Sequence, residues 1–392
     1  MAAPLLTAAS GGEPAIVRIA TFNASLNRAA PGALIRDLTT PDNSQAQRIA
    51  AIVQHVRPDI LLINEFDYDA HGEALRLFRT NYLGRAQVGE AHIDYPYAYS
   101  APVNTGMPAG FDLNRDGRID ASGQDALGFG FFPGQYGMLV LSRYPIEAAN
   151  VRSFQHFLWR DMPGALLPDD WYSPEALAVL PLSSKSHWDV PIRIGKRVLH
   201  VLASHPTPPA FDGPEDRNGR RNHDEIRLWV DYLTPRDSRY LYDDAGARGG
   251  LRGRDFVILG DLNADPLDGD SRSDALRELL AHPRVQRTAA PASAGASEAA
   301  RVQGGANDRH RGPAGNDTAD FDDRAVGNLR VDYVLPSRTL PVCDSGVFWP
   351  TVNDPLRPLS GPADASSSDH HLVWMDVALT AQCKRSSVPT GQ

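Results

Sequence analysis

The ten residues 256–265, FVILGDLNAD, decide the fold. Phe256, Val257, Ile258 and Leu259 form a continuous apolar run, the pattern of a strand covered on both faces. Gly260 follows, and then Asp261, Asn263 and Asp265 crowd the end of the run with carboxylates and an amide. A buried strand gains nothing from polar side chains at its tip, whereas α/β sheets place their chemistry just beyond strand ends. The same construction repeats along the chain. The run 16–22 ends at Asn23, 60–63 at Asn64 and Glu65, and 198–203 at Ser204 and His205. Asp332 lies inside RVDYVLP, and Asp369 with His370 precedes the last apolar run, 372–377. One such residue is an ordinary cap or turn. Six sites supplying carboxylates, amides and imidazoles point to a shared centre.

Between these runs lie helical patterns. Residues 45–56 place Ile49, Ile52, Val53 and Val56 on one face, residues 223–233 do the same with Ile226, Trp229, Val230 and Leu233, and 274–280 is a shorter case. Sheets inside and helices outside are the expected α/β arrangement. The 392 residues read as a single domain over 15–380, with a flexible amino end at 1–14 and a tail at 381–392. Residues 100–136 are Gly-rich and aromatic without periodicity, an insertion over one end of the sheet. Residues 286–328 are rich in Ala, Gly, Asp and Arg and read as a long, mobile loop.

Hydrophobic residues make up 42% of the chain and charged residues 22%, a globular balance. No apolar run approaches the roughly 18 residues that span a membrane. The formal charge of −9 supplies no general attraction to a polyphosphate backbone. The two cysteines, Cys343 and Cys383, are either separate thiols or one disulfide. A disulfide, with an amino end that reads like one left after processing, leads to a secreted or periplasmic expectation. A monomer is the expected assembly.

The segments IATFN, LLINEF, GQYGMLVLSRYPI, VLASHPTPP, FVILGDLNADP, RVDYVLP and SSDHHLVW, in this order, resemble the endonuclease/exonuclease/phosphatase superfamily, the deoxyribonuclease-I-like fold. The match runs from Ile19 to Trp374, and GDLN followed much later by SDH is its most specific part. The resemblance implies a four-layer α/β sandwich, two packed and mostly antiparallel sheets flanked by helices. It also implies a divalent metal, Mg²⁺ or Mn²⁺, and hydrolysis of a phosphoester by an activated water. Glu65 is the natural ligand for a hard cation, and the resemblance adds Asn23 and Asp369. By the same resemblance Asp261 orients or deprotonates the water and Asn263 holds water and phosphate. His370 donates to a phosphate oxygen, Asp332 fixes the His370 ring, and His205 faces the scissile phosphate. His371, one residue on, alternates to the opposite side of the strand.

Three further groups complete the expected site. Arg217 and Arg221, in the polar stretch after His205, match phosphate geometry. Tyr136, with Phe129, Phe131 and Phe132, is expected to wall the cleft. Asp112, Asn114, Asp116, the Arg118 carbonyl and Asp120 have the spacing of a calcium loop over 112–123, with Gly117 at the sixth position. Gly123 stands where the twelfth-position acid belongs, and Asp125 is its nearest substitute. The expected activity is therefore a metal-dependent phosphoester hydrolase favouring a small molecule over nucleic acid. An endonuclease on the same fold, and a catalytically silent binding module, are the rival expectations.

Overall fold

The structure is a computed structural model, and it describes residues 15–360, 367–380 and 383. The amino end and most of the carboxyl tail lie outside the described residues. Thirteen strands form in chain order: β1 (Ile16–Asn23), β2 (Ile60–Asn64), β3 (Tyr97–Tyr99), β4 (Met138–Ser142), β5 (Arg152–Ser153), β6 (His187–Ile194), β7 (Arg197–Ser204), β8 (Phe256–Asp261), β9 (Ala319–Asp320), β10 (Asn328–Leu329), β11 (Asp332–Pro336), β12 (Val342–Val347) and β13 (Val373–Ala378). One sheet has the order β12-β13-β1-β2-β4-β3 and the other β11-β8-β7-β6-β5. Each contains a single parallel pair, β1 with β2 and β7 with β8, among antiparallel neighbours.

Each parallel pair requires a crossover, and a helix supplies it. Ser44–Val56 crosses from β1 to β2, and Arg217–Leu233 crosses from β7 to β8. Period-two alternation then sorts the strand residues between layers. Ile19, Leu62, Val201, Val257 and Leu259 pack between the two sheets. Ala20, Phe22, Leu61 and Ile63 face the helix Ser44–Val56 through Ile49, Ile52 and Val53. Leu202 and Ile258 face the helices Arg217–Leu233 and Asp274–Ala281 through Ile226, Trp229 and Leu276. Both faces of every central strand are thus covered, which is why these strands read as unbroken apolar runs. The four-layer sandwich follows.

The stretch 286–328 is not the loop expected. It carries a helix, Ala294–Gln303, whose N-cap Ser293 accepts a hydrogen bond from Ala296 N, and the β9–β10 ladder. Its inward contacts are small: Ala296 is fully buried in the core between the sheets. Alanine offers no amphipathic stripe to the eye, so the pattern concealed the helix. Cys343 on β12 and Cys383 are joined by a disulfide with their Cα atoms 5.4 Å apart.

The backbone of β7 leaves no room for a side chain at Gly260 of β8. Gly260 has φ 152°, and a Cβ there would sit 2.0 Å from the Ser204 carbonyl oxygen of β7. Gly260→Ala is therefore expected to cost about 1–3 kcal/mol or more through forced separation of the two strands. Denaturant unfolding checks this, and an unchanged midpoint would contradict it.

Candidate active site

Parallel strands end at the same edge, so the crossovers bring the carboxyl ends of β1, β2, β7 and β8 together. Asn23 pairs with Asn64 at the last register position of β1 and β2. The antiparallel partners deliver their opposite ends to the same place: Asp332 begins β11 directly across from Asp261, and His370 lies just before β13. Asn23 Nδ2 donates to Asp261 Oδ2 at 3.0 Å, and Asp261 N donates to Asn64 Oδ1 at 3.2 Å. Asn64 Nδ2 also donates to the Ser204 carbonyl at 3.4 Å. These amides join the two sheets at the site.

Asp261 is fully enclosed. Burial alone would raise its pKa, but the charge of His370, the hydrogen bond with His205 and the Asn23 amide hold it below the usual carboxylate range. His370 Nδ1 lies 2.9 Å from Asp332 Oδ2, and its Nε2 lies 3.7 Å from Asp261 Oδ2. Burial opposes the imidazolium, yet the carboxylates on both sides raise its pKa well above the ordinary value. His205 is the opposite case. Burial, with the Lys185 charge, pushes it down to about 4, so it is a neutral ring whose Nε2 is 3.3 Å from Asp261 Oδ2. Asp261, Asp332 and His370 offer one ligand atom each within 4.8 Å, a spacing that can also hold a metal ion.

Glu65 projects from the turn after β2 with φ 60°, and Asn27 Nδ2 donates to its Oε2 at 2.7 Å. Burial raises the Glu65 pKa and the His370 charge lowers it, with Asp369 raising it again. Asn263, φ 51°, gives its backbone N–H to Asp261 Oδ1 and its Nδ2 to the Pro206 carbonyl. Tyr136, φ 56°, gives its N–H to Asp67. Left-handed backbone is unusual away from glycine, and functional clefts collect it. Asp369 is exposed and accepts from Ser25 Oγ at 3.2 Å.

The segment expected to be a loop positions the imidazolium. Thr318 Oγ1 donates to Asp332 Oδ2 at 2.8 Å, Ala319 bridges to His370, and Asp320 N donates to the Asp369 carbonyl. Nothing in NDTADF announces this role. Asn64 is visible as a strand end, but only the register shows that it links the sheets.

Glu65, His205, Asp261, Asn263, Asp369 and His370 all border one cleft of about 820 Å³, with Tyr136, Phe129, Phe211 and Phe321 among its apolar lining. Arg217 and Arg221 border it too, each with two of its three nitrogens already engaged by protein acceptors, which differs from the expected role on substrate. Arg221 Nε and Nη2 donate to the carbonyls of Leu182, Leu127 and Pro181. Arg217 pairs with Glu215 and donates to Gln124 Oε1 at 3.1 Å. The loop at 112–123 closes as a hydrogen-bonded turn: Asp112 accepts from Asp116 N and Gly117 N, and Asn114 from Asp116 N. Asp120 is exposed, and the buried Asp125 accepts its N–H and that of Leu113. Among the described residues no three carboxylate, imidazole or thiol groups converge in this loop as Asp261, Asp332 and His370 do.

The class that fold and site define is that of the deoxyribonuclease-I-like hydrolases. The Endonuclease/Exonuclease/phosphatase family pattern matches residues 20–370, and the chain belongs to that family. Its members are generally hydrolytic enzymes, metal-dependent phosphoesterases or nucleases. Similar solved structures include an endonuclease/exonuclease/phosphatase from Beutenbergia cavernae DSM 12333, at 18% identity and TM-score 0.50, covering 93% of this chain and 71% of that one. Sphingomyelinase C from Streptomyces griseocarneus aligns at 16% identity and TM-score 0.46, covering 93% and 99%. A mutant of beta toxin from Staphylococcus aureus, with bound magnesium ions, aligns at 12% identity and TM-score 0.42, covering 92% and 98%. No curated protein sequence matches the chain.

Two histidines outside the cleft each contribute sensitivity to acid. His187 lies between Ser183 Oγ and the Glu225 carbonyl, and burial pushes its pKa down to about 4. His371 stacks on Trp349 at 3.8 Å, on the far side from His370 as alternation requires, and burial pushes it down to about 3. Each is neutral when folded, whereas the unfolded chain protonates near pH 6.5. At these two sites the unfolded state binds more protons below that pH, so their contribution to stability falls as pH drops from about 6.5 towards 4, at up to about 1.4 kcal/mol per pH unit per histidine. Denaturant unfolding of the parent and of His371→Gln at pH 7 and pH 5 isolates the His371 share, and an equal change with pH in both chains would contradict it.

Proposed function

We propose that the chain is a divalent-metal-dependent phosphoester hydrolase that attacks a small phosphoester with an activated water. The carrying observation is that an ionised Asp261 and a protonated His370 face one cleft that the carboxylates of Glu65 and Asp369 also border. The oxygen donors Glu65, Asp369 and Asn23 fit a hard cation, Mg²⁺ or Mn²⁺. Glu65 and Asp369 raise one another's energy when both are charged, which a cation relieves. When bound, the ion neutralises charge on the phosphoryl oxygens.

The chain's own groups do the rest. Asp261, ionised at neutral pH, orients the attacking water and takes its proton as the water oxygen bonds phosphorus and the ester oxygen leaves. Asn263 has its amide nitrogen tied to Pro206 and offers the amide oxygen to the same water. His370 keeps its proton because Asp332 and Asp261 flank it, and Nε2 donates that proton towards a phosphoryl oxygen. Neutral His205 fixes Asp261 without competing for the proton. A volume of about 820 Å³ suits a small ligand, and the charge of −9 adds no pull on a polyanion. These favour a compact phosphoester over duplex DNA. The Cys343–Cys383 disulfide supports a secreted or periplasmic location.

Chelation is expected to abolish turnover, and Glu65→Gln to weaken Mg²⁺ activation with the fold intact. Asp261→Asn and His370→Ala are each expected to lower kcat by about a hundredfold or more. A panel of nitrophenyl phosphates, phospholipids, DNA and RNA ranks the substrates by kcat/KM. Full activity in chelator overturns the metal; nucleic acid cut faster than every small ester makes the chain a nuclease.

The loop bearing Asp112, Asn114 and Asp116 is proposed to take Ca²⁺, with Asp125 closing it. Calcium should then raise Tm in the parent chain and not in Asp112→Ala. An equal response in both returns the loop to a plain turn.

A further inference from the structure

The chain uses arginine for nearly all its positive charge: of 39 basic residues only Lys185, Lys196 and Lys384 are lysines. Among the described residues Lys185 is the lysine bordering the cleft, and it is 6% exposed. Its backbone is held on several sides. Asn104 N donates to the Lys185 carbonyl at 3.0 Å, and Asn104 Nδ2 to Ser183 O at 2.8 Å. The next residue back, Ser184, gives both N and Oγ to Glu225 Oε1, at 2.6 and 2.9 Å. Glu225 Oε2 takes Thr207 N at 2.7 Å. Glu225, the carboxylate that acts most strongly on Lys185, is therefore occupied by neutral donors.

The Lys185 ammonium itself makes no hydrogen bond and no ion pair among the described residues. An ammonium on a lysine this deeply buried, with no protein acceptor, is costly, and a ligand in the cleft can supply the missing acceptors. The negative groups around it, Glu225, Glu65 and Asp261, act on it through space. Burial lowers the Lys185 pKa, and these carboxylates act against that without occupying the donors. Lys185 differs here from Arg217 and Arg221, whose donors are engaged by carbonyls, an amide and a carboxylate. A lysine also suits a narrow site, since its ammonium is a compact point charge.

We propose that Lys185 binds the non-bridging phosphoryl oxygens of the substrate, on the His205 side of the cleft. This rests on the phosphoester reading and names the cation that the arginines were expected to supply. The ligand chemistry is a phosphoryl dianion or monoanion, for which inorganic phosphate is the probe.

The test uses the full chain loaded with Mg²⁺, the variants Lys185→Met and Lys185→Gln, and two readouts. Phosphate binding by calorimetry is expected to weaken about tenfold or more in both variants, the scale of a lost charge-assisted hydrogen bond. Half-saturating Mg²⁺ for activity should move by less than about threefold, because the lysine does not hold the metal. Removal of an unpaired buried charge should also leave the phosphate-free Met variant melting no lower than the parent. Phosphate binding both variants within about twofold of the parent would overturn the proposal. If the parent hydrolyses no phosphoester, the phosphoester reading fails by itself, and calorimetry still reads Lys185.

Discussion

Two amide side chains, Asn23 and Asn64, hold the tips of the two sheets together, and the rest of the site depends on that joint. Each sheet has its own outer helices and its own supply of apolar burial, which fixes layers but not register between sheets at the edge. The Asn23 bond to the Asp261 carboxylate and the Asn64 bond to the Asp261 backbone set that register. Asn64 also reaches the Ser204 carbonyl, which Gly260 approaches on the β8 side. A polar joint of this kind is expensive to bury unless its partners are satisfied. Its satisfaction places an ionised carboxylate where β1, β2, β7 and β8 end.

From that placement the charges arrange themselves. One carboxylate held ionised favours a proton on His370, and Asp332 behind the ring reinforces it. His205, beside the same carboxylate, stays neutral because burial and the Lys185 charge outweigh the attraction. Two imidazoles of opposite protonation state thus share one oxygen of Asp261. Pairs of titrating groups pushed apart by their surroundings are what acid–base chemistry at neutral pH requires.

Much of this was legible in FVILGDLNAD and its counterparts, because a strand covered on both faces has a plain signature and polar residues at its end stand out. The crossover helices were legible for the same reason: Ile49, Ile52 and Val53 mark one face. What the pattern hid is local and small. Ala296 seats a helix without a hydrophobic stripe, and Thr318 is an ordinary residue until its hydroxyl is seen on Asp332. Arg217 and Arg221 have the right chemistry for phosphate, but carbonyls and side-chain oxygens reach them first, and no sequence rule reports that competition. Lys185 escaped notice because a single lysine carries no motif. Only its burial and its empty donors distinguish it.

Asn64 acts on the chemistry through Asp261, and a double-mutant cycle measures that coupling. Turnover would be measured for the parent, Asn64→Ala, Asp261→Asn and the double variant. If Asn64 works by positioning Asp261, its removal slows the parent at least about tenfold yet slows the Asp261→Asn chain by no more than about twofold. Equal slowing in both backgrounds would mean that the two residues act independently and that the joint does not govern the site.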